Sequence, residues 1–507
     1  MQAVRKHSYF ESRDVRTADM SAAIDPSARS FIRHRVRAKV PSCQRRACGA
    51  VHTSRVRASV DSLSEKVHAD GDASARSIPS RRDALIGLTS AIAAATTALG
   101  APSDASAAVR LTPGGLDASR RFFQTFPPLW EPYFGFGERV TVRRELVPGV
   151  IWSLEQEQAL DVLAMNIRTT VVRLERTGGL VVFAPQAPTA EFFKLLDELG
   201  RVEHIVLPTY AIEHKVWLPA LARRYRDAKV WVADGLWSVP VNLPNAFLGI
   251  NPAGVMVPSG TDRRFPNGKG DLNGPTPPEN PQPPWLDEME YKVLRVDTAG
   301  ANPYIEAVFL HKASRTLLVT DLVFSIPIDP PAVIDKDRLL NLAPDDPRDA
   351  PAPMSDAALR AGWAKASLVV SFLGPSRQRQ VEAGAFKGKL QWEPGWERSF
   401  AAIENRVLPS PILRTLVFSK GKGPTRRFLR ELRADWGDAF DEIVPAHYAA
   451  PVKGTADDIV AAFSFLDAPD FLAGLTTPGS ELPEEDMGTL LKVNDALEFV
   501  GLGKGSE

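Results

Sequence analysis

The chain has 507 residues with 61 Lys and Arg against 61 Asp and Glu, but the first eighty residues hold fifteen basic and eight acidic side chains. Beyond residue 107 the sign reverses to 44 basic against 51 acidic residues, which argues against a nucleic-acid partner for that part. Both cysteines, Cys43 and Cys48, lie in the basic front, so residues 108–507 have neither disulfide nor thiol chemistry available.

Residues 1–80 are rich in Ser, Ala and Arg, with runs such as Phe31 to Arg37, and lack the apolar spacing with which a helix or strand buries a face. They read as a chloroplast transit peptide. Residues 81–107 read as a second signal. Arg81 and Arg82 precede a short, weakly apolar run, Ala84 to Gly100, and Ala105-Ser106-Ala107 offers a small-x-small cleavage site before Ala108. A twin arginine so placed is the pattern of a Tat export signal, which predicts passage through the stroma to the thylakoid lumen, with the stroma as the alternative end point. The run contains Gly87, Thr89, Ser90, Thr96 and Thr97. It is shorter and more polar than the roughly 20 apolar residues of a membrane span, so no integral span is expected in the mature chain.

Residues 108–129 lead into one large domain, expected over 130–470, with a C-terminal tail at 471–507. Its front is dense with β signals at Arg139 to Arg143, Gly149 to Leu154, Arg168 to Glu175 and Leu180 to Ala184, a meander of strands. Thr189 caps a predicted helix in which Phe192, Leu195, Leu196 and Leu199 recur at helical spacing and Gly200 ends the run. A strand at His204 to Leu207, an amphipathic stretch at Val216 to Arg226 and a strand at Lys229 to Ala233 follow. Residues 258–284 hold eight Pro and four Gly and predict a loop insertion. Strands resume at Tyr291 to Val296, Ile305 to His311 and Thr316 to Phe324. A second Pro- and Asp-rich insertion is expected at 327–353, then a basic amphipathic helix at Thr425 to Trp436, a strand near Asp441 to Val444 and a capped helix from Thr455.

Four histidines lie beyond residue 107. His204 and His311 fall inside predicted strands and read as core or edge residues. His214 and His447 follow short apolar runs, and Asp321 ends Leu317 to Thr320, so three potential ligands stand at the carboxyl ends of predicted strands, with Glu213 beside His214 as a fourth. Imidazole and carboxylate together suit Zn or non-haem Fe, which would activate water for hydrolysis. Each also has a plainer role: Glu213 and Lys215 as solvated side chains, His214 on a backbone carbonyl, His447 orienting its loop. Tyr210 and Trp217 read as packing groups, and Trp231, Trp237, Trp392 and Trp396 as core. There is no Walker loop and no Gly-x-Ser-x-Gly elbow, and Gly135-Phe136-Gly137 lacks a preceding strand. Neither a nucleotide nor haem is expected.

Several segments resemble the metallo-β-lactamase superfamily, most closely a degenerate domain-of-unknown-function family of plastid and bacterial proteins. They are Trp130 to Gly135, Arg168 to Val172, Leu180 to Ala184, Leu207 to Lys215, Leu318 to Phe324 and Ile443 to His447. The resemblance implies an α/β (α+β) fold, an αββα sandwich with Pro-rich insertions and C-terminal additions. Placed on the superfamily's His-x-His-x-Asp-His motif, the leading histidines become Thr209 and Ala211, the aspartate becomes Glu213, and His214 is kept. Near Thr298 to Asn302 the intermediate histidine is replaced by Ala301 or Asn302. Glu213, His214, Asp321 and His447 therefore correspond to the second of two metal sites, and the first is lost. Two readings follow. The preferred one is a non-catalytic scaffold for an unidentified small molecule or lumenal protein, because the longer Glu213 displaces a carboxylate. The alternative is a mononuclear hydrolase holding one Zn or Fe ion.

Overall fold

The computed structural model describes residues 118–122, 137–160, 163–235, 249–261, 280–299, 303–381, 390–499, 501 and 504–505. The two N-terminal signals, Trp130 to Gly135, Trp237, Ala301 and Asn302, and residues 262–279 of the first insertion lie outside the described residues.

Strands β1 (Val142–Val147), β2 (Ile151–Leu160), β3 (Leu163–Arg173) and β4 (Leu180–Phe183) form an antiparallel meander. The chain then alternates strand and helix, and β5 (Val202–Leu207), β6 (Lys229–Ala233) and β7 (Gly254–Met256) continue the same sheet in parallel. Helix α1 (Ala190–Asp197) connects β4 to β5; the Thr189 hydroxyl accepts from the Phe192 N–H, a cap that contributes about 1 kcal/mol. Short α2 (Ile212–Lys215) and α3 (Leu218–Arg224) lead from β5 to β6. A second sheet comprises β8 (Met289–Val296), β9 (Tyr304–His311), β10 (Thr316–Leu318), β11 (Glu442–Val444) and β12 (Val452–Lys453), in the order β8-β9-β10-β11-β12.

The alternation along each strand makes the layers. Val181 and Phe183 of β4 face the other sheet and pack with Val206, Trp231, Ile305, Phe309, Leu318 and Val444. Leu180 and Val182, one residue out of phase, face outward and are covered by Phe192, Leu196, Leu218 and Leu221 of α1 and α3. On the far side Val308, Leu310, Leu317 and Ile443 are covered by α6 (Lys422–Trp436) through Phe428 and Leu432 and by α7 (Ala456–Ala462) through Ile459. Two mixed sheets with helices on both outer faces give the expected αββα sandwich.

The second expected insertion is not a bare loop. Asp335 caps α4 (Lys336–Leu342), whose Leu339 and Leu340 are buried. It packs on the seventeen-residue α5 (Asp356–Phe372), where Gly362 sits so close that a Cβ would stand 2.1 Å from the Leu339 carbonyl oxygen. The expected tail at 471–507 is packed over much of its described length: Leu475, Leu482, Met487 and Leu490 join Trp363, Phe372, Trp392 and Trp396 in one cluster. Pro and Asp content masked α4. No helix among the described residues is long and apolar enough to cross a membrane.

Candidate metal centre

The predicted site residues come from three loops at one edge of the sandwich. β5 delivers the first, and the Ala307 N–H of β9 donates to the Pro208 carbonyl at 2.7 Å, tying Thr209 to Lys215 to the second sheet. β10 delivers Asp321; the Val319 N–H donates to the Val444 carbonyl at 3.1 Å, which continues the β10–β11 pairing up to the site. β11 delivers His447, which forms a bridge with Ile167 of β3. One ligand atom each from Glu213, Asp321 and His447 lies within 4.8 Å of the others. His447 Nε2 stands 3.4 Å from an Asp321 oxygen and 3.9 Å from a Glu213 oxygen. His214 stands beside this trio and is not one of it; its ring centre is 6.0 Å from that of His447.

Both imidazoles are oriented from behind. His214 Nδ1–H donates to the Pro185 carbonyl at 2.9 Å, and its Nε2 is buried with no hydrogen-bond partner. His447 Nδ1–H donates to the Asn166 carbonyl at 3.0 Å, which turns Nε2 toward the carboxylates. The loop carrying His447 is clamped by side chains of the first sheet. The Asn166 amide accepts from the Tyr448 N–H at 2.8 Å and donates to the Tyr448 carbonyl at 3.0 Å. Arg168 donates to the same carbonyl at 2.7 Å and to the Pro445 carbonyl, and its Nε pairs with Glu155 at 3.1 Å.

Sequence reasoning missed Glu306. It lies in β9, fully buried, and its carboxylate accepts from the Thr320 N–H at 2.6 Å and the Asp321 N–H at 3.1 Å, while Tyr304 donates its hydroxyl to it. The signal available was a lone acid in the otherwise apolar run Tyr304 to Leu310. Lys215, read as solvated, is buried, and burial pushes its amine down to about 7. Tyr210 is more than a packing group: it lines the cleft and meets Tyr304 edge-on at 6.0 Å. Trp217, Trp231, Trp392 and Trp396 are core, and so are His204 and His311.

The charges follow from burial and crowding. Burial, then the neighbouring Asp321, pushes Glu213 up to about 7, and the same two causes push Glu306 up to about 7. Burial opposes ionisation of both Asp321 and His447, but their mutual hydrogen bond and attraction outweigh it, holding Asp321 below and His447 above its ordinary value. Burial, then His447, lowers His214 to about 4, so it is a neutral donor at physiological pH. Above the trio opens a cleft of about 360 Å³ lined by Met165, Thr209, Tyr210, Tyr304, Phe324, Val370 and their neighbours.

Metallo-β-lactamase-fold proteins are among the chain's structural neighbours. A metallo-β-lactamase from Pontibacter korlensis is 11% identical, covering 65% of this chain and 99% of its own, with a TM-score of 0.30. One from Hirschia baltica is 9% identical with the same coverages and a TM-score of 0.30. A metal-soaked flavodiiron core from Synechocystis sp. PCC6803 is 10% identical, covering 65% of this chain and 61% of its own, with a TM-score of 0.33. No curated protein matches the sequence. The chain belongs to the family described as a domain of unknown function, DUF4336, whose profile matches residues 148–465.

Proposed function

We propose that the chain is a mononuclear metal-dependent hydrolase whose ion is held by Glu213, Asp321 and His447, with His214 as the adjacent neutral donor. The orientation of the two imidazoles carries this reading. Each commits Nδ1–H to a main-chain carbonyl, His447 Nε2 then faces two carboxylates, and His214 Nε2 is buried without a partner. Two carboxylates this close repel unless a proton or a cation stands with them. Oxygen and imidazole donors suit Zn or Fe. When bound, such an ion supplies Lewis acidity to an oxygen of water or substrate.

The chain's own residues do the positioning. Glu306 fixes Asp321 through two main-chain N–H groups, and the Asn166–Arg168 clamp fixes His447. Apolar side chains of the cleft, Met165, Phe324 and Val370 among them, stand beside the reacting centre. A non-catalytic scaffold on the same fold makes the opposite expectation, since Thr209 and Ala211 stand where the superfamily places two histidines. Hydrolysis of a neutral ester by the full chain loaded with Zn or Fe separates the two. Activity that a chelator removes and that His447→Ala reduces to the buffer rate is expected; a rate unchanged by His447→Ala rejects the hydrolase.

From the composition of residues 1–107 we further infer delivery to the chloroplast and, after a second cleavage, to the thylakoid lumen. Sequencing the native N-terminus should give a start near Ala108. A start far upstream of Ala108 refutes lumenal processing.

A further inference from the structure

The cleft above the trio constrains the substrate, and this inference rests on the hydrolase reading for its chemistry though not for its binding. The walls are formed by Met165, Ile212, Phe324, Val370, Ile412 and Leu413, with tyrosine, serine and threonine groups between them. Among the described lining residues there is no Lys or Arg. The floor sets two carboxylates against one imidazole, a set that is close to neutral around a divalent ion. A carboxylate or phosphate on the ligand would lose its water against apolar walls and meet Glu213 and Asp321, with no basic side chain to compensate. A volume of about 360 Å³ suits a small molecule or the acyl end of a larger one.

We propose that the site takes an uncharged carboxylic ester with an apolar acyl chain, the chain lying along Met165, Val370 and Ile412 and the carbonyl meeting the trio. In its hydrolysis the acyl C–O bond breaks and the oxygen of water bonds to the acyl carbon. One proton of water ends on the leaving alcohol, the other is released as the product acid ionises, and nothing is oxidised or reduced.

The test compares methyl hexanoate with monomethyl adipate, a similar chain carrying a distal carboxylate, by calorimetric binding to the zinc-loaded full chain. Phenyl phosphate is a third ligand, and ester turnover is followed separately. Methyl hexanoate should bind at least about tenfold more tightly than either anion. Val370→Arg, at a half-buried wall position, should shift the preference toward monomethyl adipate, and Ile412→Lys serves if the first variant does not fold. Tighter binding of either anion, no binding of methyl hexanoate, or a preference unmoved in a folded variant overturns the assignment. Tight binding of methyl hexanoate without turnover sustains the ligand class and overturns the hydrolase reading instead.

Discussion

Two buried acid centres lie on either side of the loop that carries His447, and they are finished differently. Behind the loop Glu155 is completely paired, with Arg168 at 3.1 Å, Asn166 at 3.1 Å, Ser153 at 3.1 Å and Arg144 at 3.4 Å. Burial opposes its charge, but Arg168 and Arg144 outweigh burial and hold its carboxyl below the ordinary value. In front, Glu213 and Asp321 share one histidine, and Glu213 is pushed up to about 7. A completed network holds a fold together, whereas an incomplete one at the floor of a cleft stores unfavourable charge that a ligand relieves.

That contrast is broken most severely by Arg168→Met. It leaves buried Glu155 with only the more distant, exposed Arg144 as counter-charge and takes the side-chain donor from the Pro445 carbonyl, and should destabilise the chain by about 3 kcal/mol in urea unfolding. By contrast, Glu213→Gln should stabilise the metal-free chain above pH 7, because it removes a carboxylate that burial disfavours. Next in size is the effect of Asn166→Ala on metal affinity. Loss of the amide that holds Tyr448 should weaken Zn binding by about 10–100-fold while Glu213, Asp321 and His447 all remain, measured by competition with a chelator.

The pH dependence sharpens the comparison. Between 4.5, the ordinary value of Glu213, and about 7 the folded chain holds a proton that the unfolded chain has released. The contribution of Glu213 to the stability of the metal-free chain should therefore fall as pH rises through that window. His214 and His204, each lowered to about 4, act in the opposite sense up to 6.5, and the difference in slope between the wild type and Glu213→Gln isolates the Glu213 contribution. Glu306 acts in the same direction as Glu213 over the same window, as does His447, whose raised value makes its contribution fade as pH rises through it. Glu155, held low, gives stability that is lost only in acid. Metal affinity should increase through the same pH range, because the ion competes with those protons; a flat affinity from pH 5 to 8 would contradict it. The smallest expected effect is remote: Thr455→Ala removes the capping box of α7 and should cost about 1 kcal/mol with metal affinity unchanged.

Much of the sandwich was legible because its strands are short, apolar and punctuated. Lys229 to Ala233 is a strand over those very residues, and Thr189 and Thr455 cap helices as their neighbours require. What failed was judged by composition alone. α4 lies in a Pro- and Asp-rich stretch; Leu339 joins the cluster around Trp363, and its backbone stands against Gly362 of α5, a contact that local propensity does not encode. At the site, Glu213, Asp321 and His447 were legible as residues following apolar runs. Glu306 was not, because a buried acid in a strand has no local pattern, and its meaning lies in the Thr320 and Asp321 N–H groups it accepts from. The clamp was equally silent: Asn166 and Arg168 sit about 280 positions from the loop they hold.

The most direct test of the account is the metal content of the full chain after reconstitution with Zn and removal of excess ion, measured by mass spectrometry beside Asp321→Ala and His447→Ala. The account predicts one ion per wild-type chain and none in either variant, with circular dichroism unchanged. No ion in the wild type, or an ion retained in both variants, would contradict it.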